Sequence, residues 1–292
     1  MAIHGVFVGL CTIDIIHRAP RVPGANEKIV AKEQLCVAGG PATNAAVAFS
    51  HLGGAASLVT ALGVHPLTRI VRDDLDANSV ALRDLIPQAN VPPTVSSIIV
   101  TDSTGDRAVV STNATQMSVS GELLRREWLE AQIILVDGHH LAVALSAARW
   151  ARSRGIPVVL DGGSWKPGME ALLAFCDVVI CSERFRPPGA GESPEEVLAW
   201  LTSIGVRDAA VTRGSRPICF RSEKEGAGEL PVAHVRAADT LGAGDILHGA
   251  FCARAARPGA TFLESLEHAA RTASESCRTF GTRAWMAARR PS

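Results

Sequence analysis

The most constraining feature of this sequence is a run of small residues between two carboxylates, directly before an apolar segment. Asp239 and Asp245 lie six positions apart with Gly242 and Gly244 between them, and the Ala-rich residues 246–256 predict a helix. A glycine-rich backbone admits close approach, and a helix start presents free N–H groups at its positive end, so this run predicts an anion site. Asp245 could act there as a general base on a hydroxyl; the alternative is that it only caps the helix.

Composition excludes several classes of partner. The 292 residues contain 29 Lys and Arg and 29 Asp and Glu, so the zero net charge gives no basis for a nucleic-acid or anionic-membrane surface. Seven scattered cysteines without a C-x-x-C pair indicate free thiols in a reducing cytosol. The N-terminus lacks the pattern of a signal peptide, so we expect a cytoplasmic protein. The uncharged residues 34–68 are interrupted by glycines and polar side chains, which favours a buried helix and strand over a membrane span.

Short apolar runs alternate with helical segments along most of the chain, as in a parallel sheet covered by helices. This length fits one α/β domain over residues 1–292. We predict strands at residues 3–10, 56–62, 133–136, 157–160, 178–181 and 209–212. Ligands of such sheets bind beyond the carboxyl ends of the strands. The residues that follow the strands are therefore site candidates: Asp14, 137–139, 161–163, 182–183 and 212–214.

Two segments interrupt this alternation. Residues 18–37 contain turn-forming Pro and Gly and then alternate polar and apolar side chains, which predicts exposed strands. Residues 95–100 and 107–111 also alternate and are joined by a polar turn, a hairpin signal. We expect a small β-sheet lid, formed by residues from about 16–38 and about 95–112, over the site.

A glycine pair opens the predicted helix that follows the first lid segment. Gly39 and Gly40 let the backbone approach a ligand, Pro41 suits the first helical turn, and Asn44 lies one turn into a helix that runs to about Leu52. Further along, Arg107 on the hairpin could reach a substrate, although an exposed strand arginine is equally compatible with the pattern. The same two interpretations hold for three side chains at the predicted cleft rim: His139, His140 and Lys166.

The segment 39–44 and the distant segment 239–245 together resemble the paired signatures of the ribokinase-like (PfkB) carbohydrate kinases. Within that family the ketohexokinase and sulfofructose-kinase branches look most similar. The resemblance implies a three-layer α/β/α fold with a central, mostly parallel sheet and a small β-sheet lid. It also implies an ATP-dependent sugar kinase that transfers the γ-phosphate of ATP to a hydroxyl of a small carbohydrate.

The resemblance assigns roles residue by residue. Asp245 matches the catalytic base, and Gly242, Ala243 and Gly244 match the anion hole. Positions that contact the sugar are matched by Asp14, Gly39, Gly40 and Asn44, with Arg107 as a further candidate. Positions near the nucleotide are matched by Thr212, Gly214, Gly242 and Gly281.

Metal binding departs from the family pattern. The Asn-x-x-Glu segment common in the family is replaced by residues 182–185, which leaves Glu183 as the candidate for Mg²⁺. Asp239 matches a position that helps to hold a monovalent cation, K⁺, but the adjoining residues 279–283 are unusual. The expected partners are a small sugar, ATP and a second copy of the chain through the lid. The alternatives are a nucleoside kinase of the same fold and a catalytically inactive protein that senses sugar or nucleotide.

Overall fold

The computed structural model describes residues 3–112, 119 and 130–289, which form two β-sheets and the helices that cover the larger one. The strands, in chain order, are β1 (His4–Val8), β2 (Thr12–Ala19), β3 (Glu33–Gly39), β4 (Ala55–Thr60), β5 (Val80–Asp84), β6 (Val95–Thr101), β7 (Arg107–Ser111), β8 (Ile133–Val136), β9 (Val158–Gly162), β10 (Val178–Ser182), β11 (Asp208–Arg213), β12 (Arg216–Ser222) and β13 (Gly226–Leu230). The helices are α1 (Pro41–His51), α2 (Thr68–Ala77), α3 (Leu141–Ser153), α4 (Met169–Leu173), α5 (Pro194–Ser203), α6 (Ala243–Ala255) and α7 (Phe262–Ser276), followed by a 3-10 helix (Ala284–Arg289).

The larger sheet has nine strands in the order β13-β12-β11-β10-β9-β8-β1-β4-β5. The seven strands from β11 to β5 run parallel, and β12 and β13 add an antiparallel edge. The central strands are short, and their residues are buried on both faces, as for β8. This pattern is typical of a parallel sheet with helices on both sides.

Alternate residues of the sheet enter two separate cores. Phe7, Leu135 and Ile180 pack with α1, α2, α6 and α7 on one face. Val6, Val136 and Val179 pack with α3, α4 and α5 on the other face. The predicted three-layer α/β/α architecture is therefore confirmed. No helix in the described parts of the chain combines the length and apolar character that a membrane crossing requires.

The smaller sheet, which we call the lid sheet, consists of β2, β3, β6 and β7 in the order β3-β2-β6-β7. The small second sheet was predicted, but its first strand begins at Thr12 rather than at about 16, so Asp14 lies inside β2 and not in a loop after β1. The alternating residues 28–32 form no strand, because the chain there crosses from β2 to β3 through a segment broken by Pro20 and Pro23.

The contact between α1 and α6 sets the geometry of the site. Gly249 of α6 lies so close to α1 that a Cβ there would be 2.3 Å from the carbonyl oxygen of Ala45. The facing side of α1 is built of small buried residues that include Ala45 and Ala48. Asn44 directly precedes Ala45, and Asp245 lies one turn before Gly249, so the crossing places Asn44 beside Asp245.

Candidate active site

The first turn of α6 carries the predicted anion hole. Gly242 is the N-cap residue in a left-handed conformation (φ 69°), and Ala243, Gly244 and Asp245 are the first three helical residues. No side chain in the described part of the chain caps this helix start. Because the first N–H groups of a helix lack intrahelical acceptors, those of Gly244 and Asp245 remain available to an anion.

Asp245 does not cap α6. Its Oδ2 accepts a hydrogen bond from Asn44 Nδ2 at 2.8 Å, which joins two residues 201 positions apart in the sequence. The carboxylate is half-buried. Burial raises the pKa of Asp245 to about 7, the negative charge of Asp161 adds to this, and the Asn44 hydrogen bond and His248 oppose it. A carboxyl with a pKa near neutrality suits general base catalysis at neutral pH.

Arg283 holds the other end of the Asn44 amide. Its Nη1 donates to Asn44 Oδ1 at 2.9 Å, and its Nη2 donates to Asp74 Oδ2 at 3.0 Å and to the Ala38 carbonyl at 2.7 Å. An arginine can only donate, so Asn44 Oδ1 must face it and the amide NH₂ must face Asp245. Arg283 and Asp74 were not among the residues predicted for the site. The only signal was the unusual segment 279–283, in which nothing marks the arginine as buried.

Asp14 lies on β2 beside the glycine pair. It is 5% exposed, and its Oδ1 accepts a hydrogen bond from Thr12 Oγ1 at 2.6 Å. Burial raises its pKa. A Cβ at Gly39 would lie 2.0 Å from Asp14 Oδ2, so only glycine leaves room for this carboxylate. Gly40 is the N-cap residue of α1, and the pair therefore lies between Asp14 and Asn44.

A buried carboxylate already accepts a hydrogen bond from the start of α1 and offsets the partial positive charge there. Asp137, at the end of β8, accepts hydrogen bonds from Leu10 N at 2.8 Å and Ala42 N at 3.2 Å through Oδ2, and from His139 N at 2.9 Å through Oδ1. Of the two helix starts singled out by the sequence, that of α6 is consequently the one open to an added anion. Lys166 lies nearby, with Nζ 3.4 Å from the Asp137 carbonyl oxygen. His139 is half-buried rather than fully solvated, and this burial lowers its pKa.

The lid hairpin contacts the anion-hole segment directly. Arg107 Nη1 donates to Thr240 Oγ1 at 3.0 Å and to the Thr240 carbonyl at 3.2 Å. Thr240 N and Oγ1 in turn donate to the carbonyl oxygen of Gly105, in the hairpin turn, at 3.3 and 3.2 Å. Arg107 is exposed, so it retains donors for a ligand between the lid sheet and α6.

Asp239 connects the anion-hole segment to the C-terminal loop. Its Oδ1 accepts from Leu241 N at 2.8 Å, and its Oδ2 accepts from Gly281 N at 2.9 Å. Both oxygens thus already bind backbone N–H groups, and burial raises the pKa of this carboxyl. The contact places Gly281 at the edge of the same site.

The family model described as pfkB family carbohydrate kinase matches residues 3–288. This chain belongs to the pfkB family of carbohydrate kinases. The enzyme is a phosphotransferase with an alcohol group as acceptor, as the resemblance implied.

Similar proteins support the same assignment. A ribokinase from Arabidopsis thaliana is 27% identical over 285 residues, which cover 92% of this chain and 74% of that protein. The solved structure of Arabidopsis thaliana ribokinase complexed with ribose and ATP is 25% identical with a TM-score of 0.79, covering 96% of this chain and 94% of that one. Adenosine kinase from Sinorhizobium meliloti shares the fold at 18% identity, with a TM-score of 0.82 and coverage of 99% and 98%. The narrower placement nearest ketohexokinases and sulfofructose kinases stays a prediction.

Three of the candidate nucleotide and metal residues of this kinase lie at the carboxyl ends of β10 and β11: Thr212, Gly214 and Glu183. Thr212 is near the end of β11, and Gly214 is in the turn that follows. The Glu183 backbone N–H donates to the Thr212 carbonyl at 3.1 Å, so the two candidates are neighbours. The Glu183 side chain is exposed and forms an ion pair with Arg216 through Oε2. A carboxylate is the kind of ligand that Mg²⁺ takes beside nucleotide phosphates, and Mg²⁺ at Glu183 would have to displace Arg216.

Proposed function

We propose that this kinase transfers the γ-phosphoryl group of ATP to a hydroxyl of a small sugar, with Asp245 as the general base. The observation that carries the proposal is the Asn44–Asp245 hydrogen bond at an uncapped helix start. It places a candidate sugar ligand, a carboxyl whose pKa is raised to about 7, and free N–H groups within one small region.

In the proposed reaction the sugar lies between the lid sheet and α6. Asp14 accepts hydrogen bonds from its hydroxyls, and Asn44 Nδ2 donates to one of them. The Gly39–Gly40 backbone lies against the sugar. Asp245 removes the proton from the attacking hydroxyl as the bond between the sugar oxygen and the γ-phosphorus forms and the bond from the γ-phosphorus to the bridging oxygen breaks, so that ADP leaves with that oxygen. The Gly242–Gly244 backbone stabilises charge on the transferred group. Phosphoryl transfer depends mainly on such positioning and charge stabilisation.

We extend the proposal to nucleotide and cation binding. Thr212, Gly214, Gly242 and Gly281 would border ATP, and Glu183 would hold Mg²⁺, which neutralises phosphate charge when bound. Asp239 is the candidate for a K⁺-dependent step. Turnover in KCl compared with choline chloride, at fixed Mg²⁺, tests that role.

Ribose is the first sugar to test, because the Arabidopsis thaliana relatives are ribokinases and one was solved with ribose and ATP. The assay is ADP release over a panel of sugars and nucleosides, with the wild type, Asp245→Asn and the control Asp73→Asn. Asp73 is exposed on α2, so its variant should match the wild type. Asp245→Asn should lose 10²–10⁴-fold in turnover and still bind ATP.

The other outcomes of this assay separate the alternatives. Turnover confined to nucleosides would make the chain a nucleoside kinase. ATP binding without turnover of any substrate would favour the sensing protein. Wild-type turnover by Asp245→Asn would remove Asp245 from the mechanism.

We further propose that two copies associate through the lid sheet. Strand β7 is an edge strand, and its Val109 and Val110 are 47% and 77% exposed. Exposed apolar edge strands favour pairing with another chain. Sedimentation of the wild type and of Val110→Lys tests this, with a dimer expected only for the wild type.

A further inference from the structure

A buried histidine of α6 lies one turn after the anion hole and was not a site candidate in the sequence. His248 is 4% exposed. Its Nδ1 is 2.7 Å from the carbonyl oxygen of Gly244, and its Nε2 is 3.0 Å from the carbonyl oxygen of Ile180 on β10. Each ring nitrogen therefore lies within hydrogen-bond distance of a carbonyl oxygen, which can only accept a hydrogen bond.

This arrangement discriminates between the protonation states of the ring. A neutral imidazole has one N–H and one nitrogen lone pair, so either tautomer would direct a lone pair at a carbonyl oxygen. The imidazolium ion donates from both nitrogens and satisfies both contacts. A buried polar atom left without a partner is costly, which favours the charged form.

A buried charge also needs a counter-charge, and Asp161 on β9 supplies it. Its Oδ2 is 3.3 Å from His248 Nδ1, and the carboxyl is 6% exposed. Desolvation is the main effect on Asp161 and raises its pKa, while His248 favours its ionised form. In the described part of the chain, the other ionisable groups near the pair are these: Asp245 and Cys252 on α6, Cys181 on β10, Asp14 on β2, Asp137 at the end of β8, and His139 and Lys166 on the loops after β8 and β9.

We propose that His248 is an imidazolium ion paired with Asp161, and that the pair is a positioning device for the anion hole and for Asp245. This rests on the proposed function of Asp245. The ring holds the Gly244 carbonyl toward β10, and because the peptide unit is planar and trans, the Asp245 N–H of the same unit points the opposite way, toward the anion site. The two charges also act on Asp245 with opposite sign: the anion of Asp161 favours its protonated form and the cation of His248 its ionised form.

The charge on His248 is tested directly by ¹⁵N NMR of labelled wild-type protein, with the His248 ring signals assigned through their bonds to the backbone. The proposal predicts that both ring nitrogens carry protons at pH 8. In Asp161→Asn the ring loses its counter-charge and should carry a single proton at pH 8. A wild-type ring with a single proton at pH 8 would overturn the proposal, and this reading needs neither sugar turnover nor a folded His248 variant.

The effect on the base is tested by the pH profile of kcat/KM. His248→Gln should move the acid limb upward by about one pH unit, because Asp245 loses the neighbouring cation. His234→Gln, at an exposed position, is the matched control and should leave the limb unchanged. A purely structural role would lower kcat/KM at every pH without moving the limb, which would refute the electrostatic part. If no substrate turns over, the ¹³C carboxyl signal of Asp245 gives the same shift, so failure of the kinase proposal remains distinguishable.

Discussion

Replacing the proposed base should stabilise the protein, and by an amount that depends on pH. The pKa of Asp245 is raised from 3.8 to about 7 in the folded chain, chiefly by burial. The folded state therefore binds more protons than the unfolded state between pH 4 and pH 7, and stability is lost as pH rises through that window. Above pH 7 Asp245 is ionised in both states, and the free energy of unfolding is lowered by the full cost of burying its charge.

The magnitude follows from the pKa difference. About three pKa units correspond to about 4 kcal/mol as an upper bound. Since the carboxylate is half-buried and partly screened by water, we expect about 2 kcal/mol. Asp245→Asn removes the charge and keeps an oxygen that can accept the Asn44 hydrogen bond. It should raise Tm by about 4 °C at pH 8 and change it little at pH 4.5.

The assay is thermal unfolding of the wild type, Asp245→Asn and Asp73→Asn at pH 4.5, 6 and 8. Other carboxyls titrate in all three proteins, so their contribution cancels in the differences. Asp73→Asn should show no pH-dependent difference from the wild type. A Tm difference between Asp245→Asn and the wild type that is the same at pH 4.5 and pH 8 would refute the reasoning, because the cost would then not arise from ionisation.

Three further predictions concern the same site. The acid limb of wild-type kcat/KM should fall tenfold per pH unit below about pH 7, measured by ADP release, because the base must be ionised. Arg283→Met should raise the sugar KM about tenfold with little effect on the ATP KM, because Asn44 loses the donor that orients its amide, worth about 1–2 kcal/mol; equal changes in both constants would contradict this. Gly249→Ala should lower the free energy of unfolding by about 2 kcal/mol in urea titration, because its Cβ would meet the Ala45 carbonyl, whereas Gly163→Ala should be nearly neutral.

Most of the fold could be predicted from the sequence because its signals are local. Strand β8 occupies the predicted residues 133–136, and β10 covers the predicted residues 178–181 with one residue more. The error at β2 has a physical cause. Asp14 interrupts an apolar run and therefore resembled a loop residue, but the strand accommodates it because Gly39 has no side chain at that point.

The site was only partly predictable, since its decisive contacts join distant segments. Asn44 and Asp245 were found through the paired signatures, but Arg283 reaches Asp74 across 209 positions and has no pattern of its own. His248 lies in an apolar helical run, where periodicity predicts core packing and gives no information about charge. Only the positions of two carbonyl oxygens and one carboxylate distinguish this histidine from an ordinary buried one.

These contacts place Asp245 between two charged pairs on opposite sides. On the α1 side, Arg283 and Asp74 orient Asn44, which donates to the Asp245 carboxylate. On the sheet side, His248 holds the carbonyl of the preceding residue and is itself paired with Asp161. Each pair is close to neutral, so neither forces the base into one protonation state. Burial then remains the main influence on the pKa of Asp245. A sugar that excludes water from the site would raise this pKa further, and so make Asp245 a stronger base, at the moment when the proton must leave the hydroxyl.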